Sequence, residues 1–199
     1  MPRPKLKSDE EVLDAALGVL KRSGPLEFTL AEVAKAVGLS RATLIQRFTN
    51  RDVLLVRMME RNVEQVRDYL DALPCGPGPQ GLWEFLQALV RSMNTRRDFS
   101  VNFLISWYEL QVPELRALAI RRNQSVIAAI RQRLPSGAPP GADVLLHSII
   151  AGATAQWTAE LNGPCADHVL RQIATALRLM FPRHATFCRC LREAYPDAS

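Results

Sequence analysis

Residues 29 to 51 constrain the chain more than any other stretch. Thr29 and Glu32 have the spacing of a capping box at a helix start, with Phe28 and Val33 placed as its hydrophobic staple. Gly38 stands where that helix ends and can supply the positive φ of a tight turn. Ser40 caps a second helix, with Leu39 and Leu44 as its staple, and Asn50 can cap a third. Two short capped helices joined through one glycine predict a helix-turn-helix, which places a short helix in a groove of DNA. The small Ala34 lets the second helix approach the first, and Val33, Val37, Leu39, Leu44 and Phe48 would fill the miniature core.

The sequence on either side predicts more helix and no strand. Ser8 and Glu11 form another capping box, followed by the stripe Val12, Leu13, Ala16, Leu17 and Leu20, which Gly24-Pro25 stops. A long helix runs from Arg51 to about Leu70. After the Pro/Gly-rich loop at 74 to 81, helical periodicity covers 82–95, 99–111, 113–134, 143–161, 166–181 and 183–194. Alternating β-branched runs flanked by hairpin turns are missing. The predicted fold is therefore all-α, with nine or ten helices. A three-helix DNA-binding domain occupies residues 1–50, and a larger helical domain occupies 51–199, its first helix acting as the linker.

Charge is uneven along the chain. Residues 1–57 hold 10 Lys/Arg against 7 Asp/Glu, while 58–199 hold 15 against 13. The first quarter thus carries more than half of the net +5, the sense expected of a face that meets phosphate. No apolar run reaches the roughly 18 residues of a membrane span, and Met1–Lys7 lacks the apolar stretch of a secretory signal, so a cytoplasmic location is expected. The sequence contains no nucleophile elbow, phosphate loop or HExxH motif, which argues against an enzyme. No cofactor is expected.

Residues 12–54 resemble the amino-terminal domain of the TetR (tetracycline repressor) family of bacterial transcription regulators. The resemblance rests on Thr29, Val33, Ala34, Val37, Gly38, Leu39, Ser40, Thr43, Leu44, Phe48, Arg51, Asp52 and Leu54, which agree in type and spacing with the family's pattern. Two positions depart from it: Ile45 replaces a tyrosine, and Arg51 replaces a lysine. Carried over by position, the resemblance implies that Thr29, Ser40, Thr43, Arg47 and Arg51 meet phosphates. It places Arg41, Ala42, Ile45 and Gln46 against base edges, the roles that arginine, glutamine and small apolar side chains perform in a major groove. Arg3, Lys5 and Lys7 form a basic arm suited to a neighbouring minor groove.

The resemblance further implies a homodimer on a pseudo-palindromic, double-stranded operator, with repression relieved by a small, largely apolar inducer. Leu145, Ile149, Gly152 and Ala153 in one helix and Val169, Ile173 and Leu177 in the next are the expected dimer seam. Asn102, Phe103, Trp107, Tyr108, His147, Gln156 and Trp157 are the expected lining of an inducer pocket, an apolar cavity with a few polar groups. An alternative is a thiol- or metal-sensing regulator using Cys188 and Cys190, with His184 one helical turn before Cys188. No recognised zinc-ligand spacing supports a structural metal.

Overall fold

A computed structural model of the chain describes residues 7–92, 96–160 and 163–194. Every regular element among them is helical. The order is α1 (Asp9–Glu27), α2 (Leu30–Val37), α3 (Arg41–Phe48), α4 (Arg51–Ala72), α5 (Pro79–Arg91), α6 (Arg96–Gln111), α7 (Pro113–Arg133), α8 (Ala142–Glu160), α9 (Cys165–Met180) and α10 (Ala185–Ala194). The upper count expected from periodicity is met. Among the described residues, no helix is long and apolar enough to cross a membrane.

The chain divides into two compact units. The first comprises residues 1–66 and 100–122, and the second 67–99 and 123–199.

The first unit is built on local signals that the sequence displays openly. Ser8 Oγ accepts the Glu11 N–H at 3.1 Å, and the Glu11 carboxylate accepts the Ser8 N–H at 2.8 Å, closing the capping box of α1. The backbone N–H of Ser8, aided by Lys7, holds the Glu11 carboxyl below its ordinary pKa. Gly24, at φ 75° and ψ 170°, breaks α1 before a last turn from Pro25. Thr29 Oγ1 accepts the Glu32 N–H at 3.2 Å to start α2. Gly38 then adopts the left-handed conformation, φ 70° and ψ 29°, and the Gly38 and Leu39 N–H groups both donate to Ala34 O. Ser40 Oγ accepts the Thr43 N–H at 3.0 Å, and Asn50 Oδ1 accepts the Val53 N–H at 2.9 Å. Four helices thus start on the residues whose side chains can satisfy their free N–H groups.

The apolar faces of α1 to α4 close on one core. Val12, Ala16, Val33, Leu44, Phe48, Leu54 and Met58 are each almost wholly buried there, and Leu115 and Leu118 of α7 join the same cluster. Each such leucine or phenylalanine contributes about 1.5–3 kcal/mol by leaving water. Glu109 of α6, 3% exposed at the side chain, accepts two hydrogen bonds of 2.8 Å from Arg122 of α7, so the two helices are joined by a bidentate ion pair.

The second unit centres on α9. Val169, Ile173, Ala174 and Leu177 form its fully buried stripe, packed by α8, α10 and α5. Arg133 is buried at 8% exposure, with its guanidinium 4.2 Å above the Phe85 ring. It donates to the Ala129, Leu70 and Cys75 carbonyls and so fastens the loop before α5. That loop returns tightly enough to start α5 at Pro79, three residues earlier than periodicity suggests, because proline's fixed φ suits a first helical turn.

Candidate nucleic-acid interface

The outer face of α3 is polar, exposed and unencumbered. Arg41, Ala42, Ile45 and Gln46 are exposed, while Leu44 and Phe48 on the opposite face are 0% and 1% exposed. This division follows from helical spacing: the residues that fill the core are four apart, and those between them are left outside. Ile45 keeps 41% of its surface in water, a large apolar side chain with no part in the core.

The amino end of α3 is left electropositive. The first turns of α1, α2 and α4 each carry an acidic residue that complements the helix dipole, whereas the first turn of α3 carries none. Its positive dipole end, which no acidic residue in that turn offsets, suits an anionic oxygen. The capping hydroxyls of Thr29 and Ser40 accept hydrogen bonds from N–H groups. A hydroxyl that accepts still has a proton to donate, so Thr29 can cap its helix and donate to a phosphate together. Ser40 Oγ also lies 2.8 Å from Thr43 Oγ1, so one of the two hydroxyls donates to the other; Thr43 is half-buried. Thr29, Ala31, Arg41, Ile45, Thr49 and Arg51 border an open hollow of about 540 Å³ between the start of α2 and the outer face of α3.

Two arginines expected on phosphates are engaged inside the domain. Arg47 Nε donates to Asp9 Oδ1 at 2.7 Å, Nη2 pairs with the same oxygen, and Nη1 donates to the Lys7 carbonyl at 2.8 Å. Arg57 approaches the other oxygen of Asp9 at 3.7 Å, and the two guanidinium groups lie 5.8 and 5.2 Å from the Phe48 ring centre. Asp9 therefore ties α1 to α3 and α4. Arg51 Nε donates to Phe28 O at 2.8 Å, Nη2 to Pro25 O at 2.6 Å, and Nη1 to Tyr108 at 3.2 Å. Burial opposes its charge, but the hydrogen bonds to Tyr108 and Asp52 outweigh that and raise its pKa. Both arginines are half-buried because a guanidinium has enough donors to satisfy carbonyls and carboxylates that a helix corner would otherwise leave bare. Asp9, Pro25 and Phe28 lie too far away in sequence for local patterning to name them as partners. Of the basic arm, Lys7 pairs with Glu11 at 3.0 Å, and Arg3 and Lys5 lie outside the described residues.

A strained residue follows α3. Thr49, directly after α3, has φ 66° and ψ −58°, and the Asn50 N–H donates to Phe48 O at 2.6 Å. This is a γ-turn of the rare positive-φ kind. It reverses the chain within three residues, bringing the Asn50 cap of α4 close behind α3.

The expected inducer lining is divided between the two units. Asn102, Phe103 and Trp107 are exposed on α6 and Tyr108 is half-buried; all four belong to the first unit. His147, Gln156 and Trp157 belong to the second. There Trp157 is buried, its Nε1 donating to Gly163 O at 3.0 Å, and burial lowers the pKa of half-buried His147. Gln156 is exposed. The expected seam divides similarly. Val169, Ile173 and Leu177 are 0% exposed and Ala153 is 4% exposed, because α9 buries its stripe within its own unit. Those four side chains are not at a surface. Leu145, 48% exposed, half-buried Ile149 and exposed Gly152 face outward on α8. Cys188 is half-buried, the Cys190 side chain lies outside the described residues, and no cluster of three metal-ligating side chains occurs among the described residues.

The family model described as bacterial regulatory proteins, tetR family, matches residues 12–58, which span most of α1, the helix-turn-helix and the start of α4. A transcriptional regulator from Rhodococcus sp. Rha1 shares the fold with a TM-score of 0.69 at 19% identity, over 86% of this chain and 97% of that one. A TetR-family transcriptional regulator from Streptomyces coelicolor gives 0.66 at 18% identity, over 96% and 92%. SmeT, the repressor of the Stenotrophomonas maltophilia multidrug efflux pump SmeDEF, gives 0.61 at 18% identity, over 87% and 90%. No curated protein matches the chain. Residues 12–58 thus match a domain of the tetR family of bacterial regulatory proteins, and the fold along the chain is one that solved transcriptional regulators share.

Proposed function

We propose that the chain is a cytoplasmic, homodimeric repressor that binds a pseudo-palindromic operator and leaves it when a small, largely apolar molecule binds. Residues 1–50 read the DNA, and residues 51–199 dimerise and sense. The observation that carries the reading is the outer face of α3: Arg41, Ala42, Ile45 and Gln46 exposed beside an electropositive helix end, on a helix whose other face is locked into a core. Arg41 suits a guanine edge, Gln46 an adenine edge, and Ala42 and Ile45 thymine methyl groups. Thr29, Ser40 and Thr43 supply the phosphate contacts through hydroxyls. Arg47 and Arg51 act chiefly as positioning residues, with their remaining N–H groups available to a phosphate.

A homodimer suits the geometry of reading. Two copies of α3 must sit about one helical turn of DNA apart, 34–36 Å, to meet the two half-sites. The outward face of α8, with Leu145, Ile149 and Gly152, is the surface proposed for the seam. Repression is supported by the fold shared with SmeT, described as a repressor. The regulator fold supports a role without catalysis.

The test is fluorescence anisotropy of the purified chain on duplex from its own upstream region and on random duplex of equal length. The reading expects tighter binding to the former, with affinity falling steeply as salt rises. Equal binding to both duplexes would overturn it.

A further inference from the structure

The first unit contains a second open hollow, of about 510 Å³, bordered by the first turns of α4 and α7 and the end of α6. Its volume lies within the range of small-molecule sites. Val53, Val56 and Leu115 give it an apolar floor, and Tyr108 adds an aromatic wall. Four charged side chains border it: Asp52, Arg57, Glu60 and Glu114. Asp52 is paired with Arg51 at 3.0 Å and Arg57 with Asp9 at 3.7 Å. No ion pair or hydrogen bond joins the Glu60 or Glu114 side chain to another described residue. The positive end of α7 offsets about half a charge, so the two carboxylates leave the hollow negative.

From this complementarity we infer that the hollow binds a small organic cation with an apolar body, such as a quaternary or protonated amine. The cation would lie between Glu60 and Glu114, its apolar part on the valines and leucine and against the face of Tyr108, an arrangement in which aromatic rings attract cations. The site adjoins the groups that set the reading helices. Asn50 both borders the hollow and caps α4 through the Val53 N–H. Tyr108 borders it and accepts from Arg51, whose other donors hold the Pro25 and Phe28 carbonyls at the α1–α2 corner. A bound cation that shifts Tyr108 or Asn50 thus acts on the reader directly, provided it binds the DNA-competent and free arrangements unequally. This effector role rests on the reading of the chain as a ligand-responsive regulator.

The experiment is isothermal titration of the full chain with benzyltriethylammonium, with the anion 4-tert-butylbenzoate as control. The expected result is one cation site per chain, no anion binding, and at least ten-fold weaker cation binding in the Glu60→Gln/Glu114→Gln double variant. Each single variant should show an intermediate loss, which keeps the test valid if the double variant folds poorly. Saturating cation should change the affinity for a preferred duplex at least five-fold. Cation binding unaltered by the double variant, equal binding of the anion, or unaltered duplex affinity would each overturn the inference. Sequence-preferring DNA binding without a cation site overturns this inference and leaves the DNA reading intact. A cation site without any duplex preference overturns the regulatory reading, and the effector role with it.

Discussion

Arg51 and Tyr108 are joined by a 3.2 Å hydrogen bond from Nη1 to the phenol oxygen, across 57 residues of sequence. The same guanidinium holds two backbone carbonyls at the corner between α1 and α2, and it lies 5.7 and 5.8 Å from the Phe28 and Tyr108 ring centres. The corner of the DNA-reading domain and helix α6 therefore share one cation. Tyr108→Phe removes a single acceptor and should cost about 0.5–1.5 kcal/mol of stability. Arg51→Ala also strands two carbonyls at about 1–3 kcal/mol each, and should cost clearly more. Urea unfolding of the two variants and their double checks this: the double variant should be less destabilised than the sum. Strict additivity would show that the hydrogen bond contributes nothing.

Thr49 occupies a backbone region that suits glycine. A conformation of this kind costs a β-branched residue of order 1–3 kcal/mol, against about 0.5–1 kcal/mol for the extra freedom glycine brings to the unfolded chain. Thr49→Gly should therefore raise the unfolding midpoint, by a net ~1 kcal/mol. A lowered midpoint would show that the threonine side chain contributes more than its strain costs.

Asp9 separates folding from reading. It anchors Arg47 and Arg57 but is 45% exposed at the side chain, so solvent screening limits Asp9→Asn to roughly 1 kcal/mol. Arg47→Ala should destabilise to a similar or greater degree. Arg41→Ala touches no internal partner and should leave stability within about 0.5 kcal/mol while weakening DNA binding. Thermal unfolding alongside anisotropy on duplex DNA distinguishes the two arginines. Loss of stability in Arg41→Ala matching that of Arg47→Ala would contradict the assignment.

The link between α1 and α4 should be pH-dependent. Arg61 donates to both oxygens of Asp14 at 2.8 and 3.0 Å, and Gln65 donates to one at 2.8 Å. The Arg61 hydrogen bond, with help from Gln65, lowers the Asp14 pKa beneath its ordinary 3.8. A carboxyl with a depressed folded pKa stabilises the fold above its unfolded pKa, and that contribution is lost as pH falls through the folded value. Asp14→Asn should thus cost up to about 1 kcal/mol at pH 7, and the difference from the unaltered chain should shrink as pH falls below 3.8 and through the folded value. Chemical denaturation at a series of pH values measures it.

The starts of α1 to α4 were legible because each rests on a side chain one turn from the N–H it satisfies, as Ser8, Thr29, Ser40 and Asn50 show. Gly38 was legible because only its backbone freedom was needed. The exposed quartet on α3 followed from helical spacing. What the sequence concealed is long-range or conformational. The Arg47–Asp9 and Arg51–Phe28 contacts span 38 and 23 residues, and an arginine that packs inward has the same letter as one that meets phosphate. Thr49 carries no mark of its positive φ, since threonine is a poor candidate for it. The burial of Val169, Ile173 and Leu177 was visible as a stripe, but a stripe does not say whether its cover belongs to the same chain.

Selection of duplexes from a random pool by the purified chain, followed by sequencing, measures whether α3 reads sequence. The expected product is an enriched inverted repeat with half-site centres about one helical turn apart. Gln46→Ala should relax preference at one position in each half-site while leaving the rest. A pool that stays random, or an enriched site unchanged by Gln46→Ala and Arg41→Ala together, would contradict sequence reading by α3.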